Sequence, residues 1–316
     1  MHHLLFNCVE VVKLAQMRVL IIGCGYAGLR LGAELKKLGH TVFGLRRSVP
    51  AADGLAQGME WLRADISKPE DLAAVPNNFD WVVNTVSSSH GGAAEYRNAY
   101  LTGTRNVLNW LSGAGVKKYV YTSSTSVYSQ TDGEIVKETS AAEPVSETAK
   151  ILLETEGLLL AAAREKKCPA VILRVAGIYG PDRGFLLRQY LKNEARIIGK
   201  GERHLNMIHV DDLAGVIIAA LRAGRPGEIY NVTDDEPVAE IHFFRWLSET
   251  LGKWMPPFAP EEGVRKRALT DKRIQNRKLK MELGCQLKYP TFRQGYTAEI
   301  QRLERAGKLD IEPEPR

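Results

Sequence analysis

The stretch that decides the fold is Val19-Leu20-Ile21-Ile22-Gly23-Cys24-Gly25-Tyr26-Ala27-Gly28. Its four leading residues are apolar and mostly β-branched, which reads as a strand buried on both faces. The run ends abruptly at a G-x-G-x-x-G turn, after which Leu31, Leu35 and Leu38 fall at helical spacing and Gly39 is placed to end the helix. In a strand–turn–helix unit of this kind the first glycine permits the tight turn. The second lets the backbone approach a pyrophosphate, and the third lets helix and strand pack closely. Gly23, Gly25 and Gly28 take these positions, with Tyr26 and Ala27 between them. Phosphates would sit on the free amides and the positive dipole end of the helix.

The rest of the composition narrows the function class. At 316 residues and 44% hydrophobic, the chain can bury a full core as one large domain or a domain with a lobe. The net charge of +6 is modest and suits anionic small ligands. Basic residues gather in Arg265 to Lys280, but acids and apolar residues interrupt them. No nucleic-acid-binding motif accompanies them, so they read as a solvated helix face and nucleic acid is not expected as a partner. The cysteines (Cys8, Cys24, Cys168, Cys285) form no C-x-x-C pair, which argues against a zinc site or disulfide framework and for a reducing compartment. No apolar run approaches the ~20 residues of a membrane span. Met1 to Gln16 has neither a basic n-region nor a small-residue cleavage site, so residues 1–16 read as an N-terminal extension and the product as cytoplasmic. His209 and Asp211 have no third ligand at metal spacing, and no metal is expected.

Thr41 to Leu45 reads as the second strand, and its end is where cofactor choice is made. Recognition of free ribose hydroxyls calls for an Asp or Glu there, whereas a 2′-phosphate calls for cations. The residues are Arg46-Arg47-Ser48, two bidentate guanidiniums and a hydroxyl, which favour NADP over NAD. A third strand, Glu60 to Arg63, leads into Asp65-Ile66. The Asp65 carboxylate either accepts from the adenine amino group or caps a helix starting near Pro69. Strand four, Trp81 to Thr85, runs into a polar, glycine-rich segment, Val86 to Gly92. It would carry Thr85 and Val86 over the cofactor and Ser87 toward substrate at the carboxyl edge of the sheet. Glu95 to Ser112 has the pattern of one long helix with Tyr100, Val107, Leu108 and Leu111 inward. Strand five, Lys118 to Thr122, continues into Ser123-Ser124-Thr125-Ser126-Val127-Tyr128.

These landmarks, followed in order by Gly103 to Leu108 (GTRNVL), Leu173 to Pro181 (LRVAGIYGP), Asn206 to Ala214 (NMIHVDDLA) and Ile229 to Pro237 (IYNVTDDEP), resemble the short-chain dehydrogenase/reductase superfamily. The branch is the extended, sugar-nucleotide epimerase/dehydratase-like one. The likeness spans residues 17 to about 237 and is looser beyond. It implies a Rossmann-type α/β fold, a doubly wound parallel sheet with a small C-terminal substrate lobe. The boundaries read as 17–180 with 205–235 for the dinucleotide domain, and 181–204 with 236–310 for the lobe. Members are often dimers through paired helices, for which Glu95 to Ser112 and Glu147 to Arg164 are the candidates; the chain is a monomer or homodimer.

The resemblance also implies a proton-transfer set: a Ser or Thr after strand five, and a Tyr followed four residues later by a Lys that holds the nicotinamide ribose. Ser124 takes the hydroxyl position. Where Y-x-x-x-K is due, the chain reads Pro144-Val145-Ser146-Glu147-Thr148-Ala149-Lys150, with the lysine present and the tyrosine replaced by Ser146. A serine hydroxyl is far too weak an acid to act as the tyrosine does. Tyr128, Tyr179, Glu147 or a substrate group are the alternatives, and Lys150 is otherwise a surface lysine on an amphipathic helix. Thr125, Tyr128, Tyr179 and Arg188 are assigned to substrate, Arg188 within a basic helix from Phe185. Arg174 either pairs within the core or orients substrate, and Asp211 or Asp212 caps the helix running to Leu221. Two functions remain. One is an NADP-dependent oxidoreductase or epimerase acting on a polar, possibly nucleotide-linked sugar. The other is a non-catalytic NADP(H)-binding sensor.

Overall fold

The computed structural model describes residues 15–51, 53–88, 92–260 and 270–309. Residues 1–14 with Cys8, Ser89 to Gly91, Arg265 to Arg267 and the Pro313-Glu314-Pro315 tail lie outside the described residues.

Seven strands form the central sheet: β1 (Arg18–Ile22), β2 (Thr41–Arg46), β3 (Glu60–Arg63), β4 (Trp81–Asn84), β5 (Lys118–Ser124), β6 (Ala170–Val175) and β7 (Ile229–Val232). Their order is β7-β6-β5-β4-β1-β2-β3, and every pairing is parallel. Ile21 sits opposite Gly44 on one side and Val83 on the other. Strand order reverses between β1 and β4, the switch point at whose carboxyl edge ligands bind in open α/β sheets.

The apolar run of β1 follows from helices on both faces. Val19 and Ile21 point into one core cluster with Leu31, Leu35, Val83, Val171 and Ile217. Leu20 and Ile22 point into the other with Phe43, Val82, Tyr121, Ile151 and Leu159. The four apolar residues of β1, Val19 to Ile22, are 0% exposed, and each buried aliphatic side chain contributes about 1.5–3 kcal/mol of transfer free energy. A third cluster, built on Tyr179, Leu187, Phe243, Phe244, Phe292 and Tyr296, gathers segments that follow β6. Among the described residues no helix is long and apolar enough to cross a membrane.

Three local expectations change. The helix expected over Glu95 to Ser112 is interrupted: Ala93–Tyr96 and Gly103–Trp110 are α-helical, and a π-helical stretch at Arg97–Thr102 between them buries Tyr100 and Leu101. The basic helix from Phe185 stops at Leu191, because Asn193 takes a left-handed φ of 60° and turns the chain toward the Ile197–Ile198 strand. The helix after His209 is capped by that histidine, whose Nδ1 accepts from the Asp211 amide at 3.1 Å, and not by either aspartate. Asp211 pairs with Arg30 and Lys288, and Asp212 accepts the amides of Lys288 and Tyr289.

Candidate functional site: a dinucleotide trough and an adjoining polar cavity

The glycine turn is a close backbone approach. Gly23 has φ +70°, and a Cβ there would lie 2.6 Å from Val86 Cα, so only glycine fits against the strand-four exit. Thr85 Oγ1 donates to the Ile22 and Gly23 carbonyls, each at 3.1 Å, fixing the two segments together. At Gly28 a Cβ would meet Ile21 Cγ2 at 3.0 Å and Thr85 Oγ1 at 3.1 Å. The Tyr26–Lys37 helix begins after Gly25 with no side-chain cap, so its first amides face outward for a ligand. Cys24 is fully buried and its thiol is pushed up to about 12 by burial, which makes it an inert small residue of the turn.

Around this turn three neighbouring cavities line up as a trough. The first, about 350 Å³, is lined by Arg46, Arg47, Ser48, Asp65, Ile66 and Ser67 together with Gly23, Val86 and Ser87. Neither Arg46 nor Arg47 has a carboxylate within 4 Å among the described residues. Asp65 does not cap the Pro69–Ala73 helix, where Lys68 holds the cap position. Its Oδ1 accepts from the Ser67 amide and hydroxyl at 3.0 and 2.8 Å in a local turn that holds it on the cavity wall.

The middle cavity, about 410 Å³, shares Gly23, Gly25, Val86, Ser87 and Ser88 with the first and adds Tyr26, Ala27, Thr85, Tyr96, Tyr100, Ser124, Leu152 and Arg183. The third, about 530 Å³, shares Ser124, Val175, Ala176 and Gly177 with the middle one. Its wall also carries Thr125, Ser126, Tyr128, Ser146, Arg203, His204, Asn206 and Lys272, and no carboxylate side chain lines it among the described residues.

The Glu147–Arg164 helix decides what chemistry this trough holds. Ser146 is its N-cap, Oγ accepting the Ala149 amide at 3.3 Å. Lys150 lies one turn on, but its side chain is 58% exposed, 3.9 Å from the Glu147 carboxylate. It lines a shallow depression with Ala142, Glu143, Pro144, Leu153 and Glu154, apart from the trough. The residue this helix presents to the middle cavity is Leu152.

The register is held by Glu156, four residues beyond Leu152 on the same face. Its carboxylate takes Arg174 in a buried bidentate pair at 2.7–3.2 Å and the Ser123 hydroxyl at 2.5 Å. Arg174 is thus a core ion-pair partner. It also donates to Tyr128 Oη at 2.8 Å, while Tyr128 donates to Asn231 Oδ1 at 2.9 Å. Burial raises the Tyr128 phenol further, so it is a brace and not a proton donor. Tyr179 is equally unsuited: it stacks on Tyr296 with centroids 4.3 Å apart and lines neither of the last two cavities. Burial and neighbouring carboxylates raise its phenol far above the usual range. Arg188 lies in a different cavity, with Arg183, Leu187 and Arg302.

Sequence reasoning placed Arg203 among cations suited to a phosphorylated or nucleotide-linked substrate, and missed Leu152, His204 and Lys272 as wall residues. The acid pattern of the helix held a usable signal, since only one of its glutamates, Glu156, falls on the buried stripe with Ile151, Leu152 and Leu159. His204 and Lys272 meet only through the pairing of distant segments. His204 Nδ1 and backbone N–H both contact Asp271 Oδ1 at 2.8 Å.

A family model described as the NAD dependent epimerase/dehydratase family matches residues 19–233. The chain belongs to that family. Protein YeeZ of Escherichia coli (strain K12) is 28% identical over 288 residues, covering 86% of this chain and 96% of its own. A solved structure of a putative NAD-dependent epimerase/dehydratase from Methylobacillus flagellatus is 32% identical, covers 92% of this chain and all of that one, and superposes with a TM-score of 0.74. DesIV, a dTDP-glucose 4,6-dehydratase of Streptomyces venezuelae solved with NAD and TYD bound, shares the fold. It has a TM-score of 0.79 at 22% identity, over 92% of this chain and 97% of that one. Family membership carries with it an NAD-type cofactor, and the glycine cradle, closed to any side chain at Gly23, suits one.

Proposed function

We propose that this protein is an NADP(H)-linked oxidoreductase or epimerase of the family, acting on a polar, anionic substrate such as a nucleotide-linked sugar. The carrying observation is the continuity of the trough, from Arg46, Arg47 and Ser48 through the glycine turn to the polar cavity beyond Ser124. Arg46 and Arg47 bind the 2′-phosphate, the turn amides take the pyrophosphate, and Asp65 and Ile66 border the adenine. A bound nicotinamide supplies hydride exchange. Ser124, at the shared wall of the last two cavities, orients a substrate oxygen there, and Lys272, which unlike Arg203 (on Glu240) and His204 (on Asp271) has no carboxylate partner among the described residues, favours a negatively charged substrate.

Leu152 favours a second reading, that of an NADP(H)-binding sensor. An apolar residue on the helix that faces the middle cavity offers the ribose no hydrogen bond and a tyrosine no cation. Calorimetric titration with NADPH and NADH, followed by NADPH oxidation against a panel of carbonyl compounds and product analysis of sugar nucleotides incubated with the cofactor-loaded protein, separates the two. Tight NADPH binding with turnover of a panel member supports the enzyme. Tight binding without turnover supports the sensor, and binding of neither nucleotide removes both.

A further inference from the structure

The polar cavity holds a lysine that neither the family's proton-transfer pattern nor the dinucleotide accounts for. Lys272 opens a three-residue strand, Lys272–Ile274, that pairs in parallel with Glu134–Val136. Its side chain crosses the cavity wall and is 7% exposed as a residue. Nζ donates to the Tyr128 carbonyl at 3.0 Å and to Thr270 Oγ1 at 2.9 Å. A lysine buried to this extent ordinarily carries a carboxylate partner. Among the described residues none lies within 4 Å of this one, and the reason is local. The adjacent carboxylate, Asp271, is engaged elsewhere, its Oδ1 taking the His204 amide and imidazole.

Among the described residues, then, no carboxylate compensates Nζ directly. Arg203, itself paired with the buried Glu240 carboxylate at 3.0 Å, opposes its protonation, and Asp271, held by His204, favours it only at a distance. Glu134 faces it in strand register but stands on the exposed side of its own strand. Burial together with Arg203 lowers the ammonium to about 8. An amine that exchanges its proton near neutral pH, in a wall that also carries Ser124, has the chemistry of a general acid–base group. Several groups that the sequence offers for this role are engaged elsewhere. Ser146 is committed to a helix cap, Lys150 faces away from the trough, and Tyr128 and Tyr179 are buried and engaged.

We infer that Lys272 is the catalytic acid–base residue of this site, moving a proton to or from the substrate oxygen that Ser124 orients. The inference rests on the oxidoreductase reading above. In the reductive direction a substrate carbonyl gains a C–H bond from hydride supplied by a reduced nicotinamide cofactor, while the Nζ–H bond breaks and an O–H bond forms on the carbonyl oxygen. Lysine ends neutral and the cofactor ends oxidised by two electrons. In the oxidative direction neutral Nζ takes the hydroxyl proton as the carbinol hydride leaves to the oxidised cofactor.

The test combines a measurement on the wild-type protein with two variants. Competitive amine labelling of the NADPH-loaded protein across alkaline pH, read by mass spectrometry, is expected to give half-maximal reactivity of Lys272 near pH 8, against the usual value of about 10.4 for exposed lysines. Lys272→Met and Lys272→Arg are expected to bind NADPH within twofold of wild type. Both should lose about 100-fold or more of kcat on whichever panel substrate the wild type reduces, the scale of general acid–base catalysis. The wild-type reduction rate should fall as pH rises through about 8, a limb absent from the residual activity of either variant. Labelling of Lys272 in step with exposed lysines, or a Lys272→Arg protein with wild-type kcat, overturns the inference and leaves the cofactor reading standing. A wild type that binds NADPH yet neither reduces nor epimerises any panel member also overturns it, in favour of the sensor. Failure of the wild type to bind NADPH is a different result, seen before any variant is made, and it removes the function reading itself.

Discussion

The two ends of the trough were built by different rules. At the glycine turn the proposed ligand seat is backbone: Gly23, Gly25 and the first amides of the Tyr26–Lys37 helix, clamped by Thr85 onto the Ile22 and Gly23 carbonyls. At the far end the seat is side chains, and their aim depends on the rotation of the Glu147–Arg164 helix. Each residue along a helix turns the side chain by about 100°, so Lys150 and Leu152 cannot face the same way. The buried Glu156–Arg174 pair holds the rotation that presents Leu152. A backbone seat survives in a motif, whereas a side-chain seat survives only in a register. That is why the cofactor end keeps the family's pattern and the helix end departs from it.

The contrast breaks most visibly at the turn. Gly23→Val places a branched side chain where Val86 Cα already lies 2.6 Å from a Cβ, in a φ +70° conformation. The strain alone costs about 1–3 kcal/mol. The variant is expected to lose measurable NADPH binding in calorimetry and to melt lower than wild type.

Next in size is the brace of the helix register. Glu156→Gln leaves Arg174 buried opposite a neutral amide, and urea denaturation should show a loss of about 3–5 kcal/mol. A loss below about 1 kcal/mol would mean that packing, and not the ion pair, sets the register.

The adenosine end gives a smaller and more selective effect. Replacing Arg46 and Arg47 with Ala should weaken NADPH about tenfold or more, since a charged hydrogen bond is worth about 1.5–3 kcal/mol. NADH affinity should stay within twofold. Equal weakening of both nucleotides would remove the 2′-phosphate role.

The smallest effects separate the two residues of the expected tyrosine–lysine pair. Ser146→Ala should cost about 1 kcal/mol of stability as a lost cap, with NADPH affinity unchanged. Lys150→Ala should change neither by a measurable amount, its ion pair with Glu147 being exposed. A marked loss of NADPH affinity in Lys150→Ala would return that lysine to the cofactor.

Much of the fold was legible because its signals are local. The β1 run, the glycine turn and the cations at the end of β2 stand within about thirty residues, and the parallel sheet follows from apolar strands alternating with helical periods. The His209 cap, the π-helical stretch at Arg97–Thr102 and the early stop at Leu191 are departures of a few residues. In each, backbone hydrogen bonding or a left-handed residue overrode periodicity. Ser146 illustrates the limit differently. Its residue type disqualified it as an acid from the sequence alone, but its work as a cap required the geometry of the Ala149 amide.

By itself, the sequence determined the dinucleotide turn, the parallel sheet, the cationic end of β2 and the absence of a tyrosine before Lys150, because each depends on residue type and near neighbours. Only the tertiary structure decided that Lys150 faces away, that Leu152 takes its place at the trough, and that Lys272 meets Ser124 in one cavity. Those outcomes depend on which side of a helix is buried and on strand pairings that join residues far apart in the chain. The physical reason is that a buried charge must find its partner in space: Glu156 found Arg174 and so set the helix, while Asp271 found His204 and so left Lys272 with no carboxylate within 4 Å among the described residues.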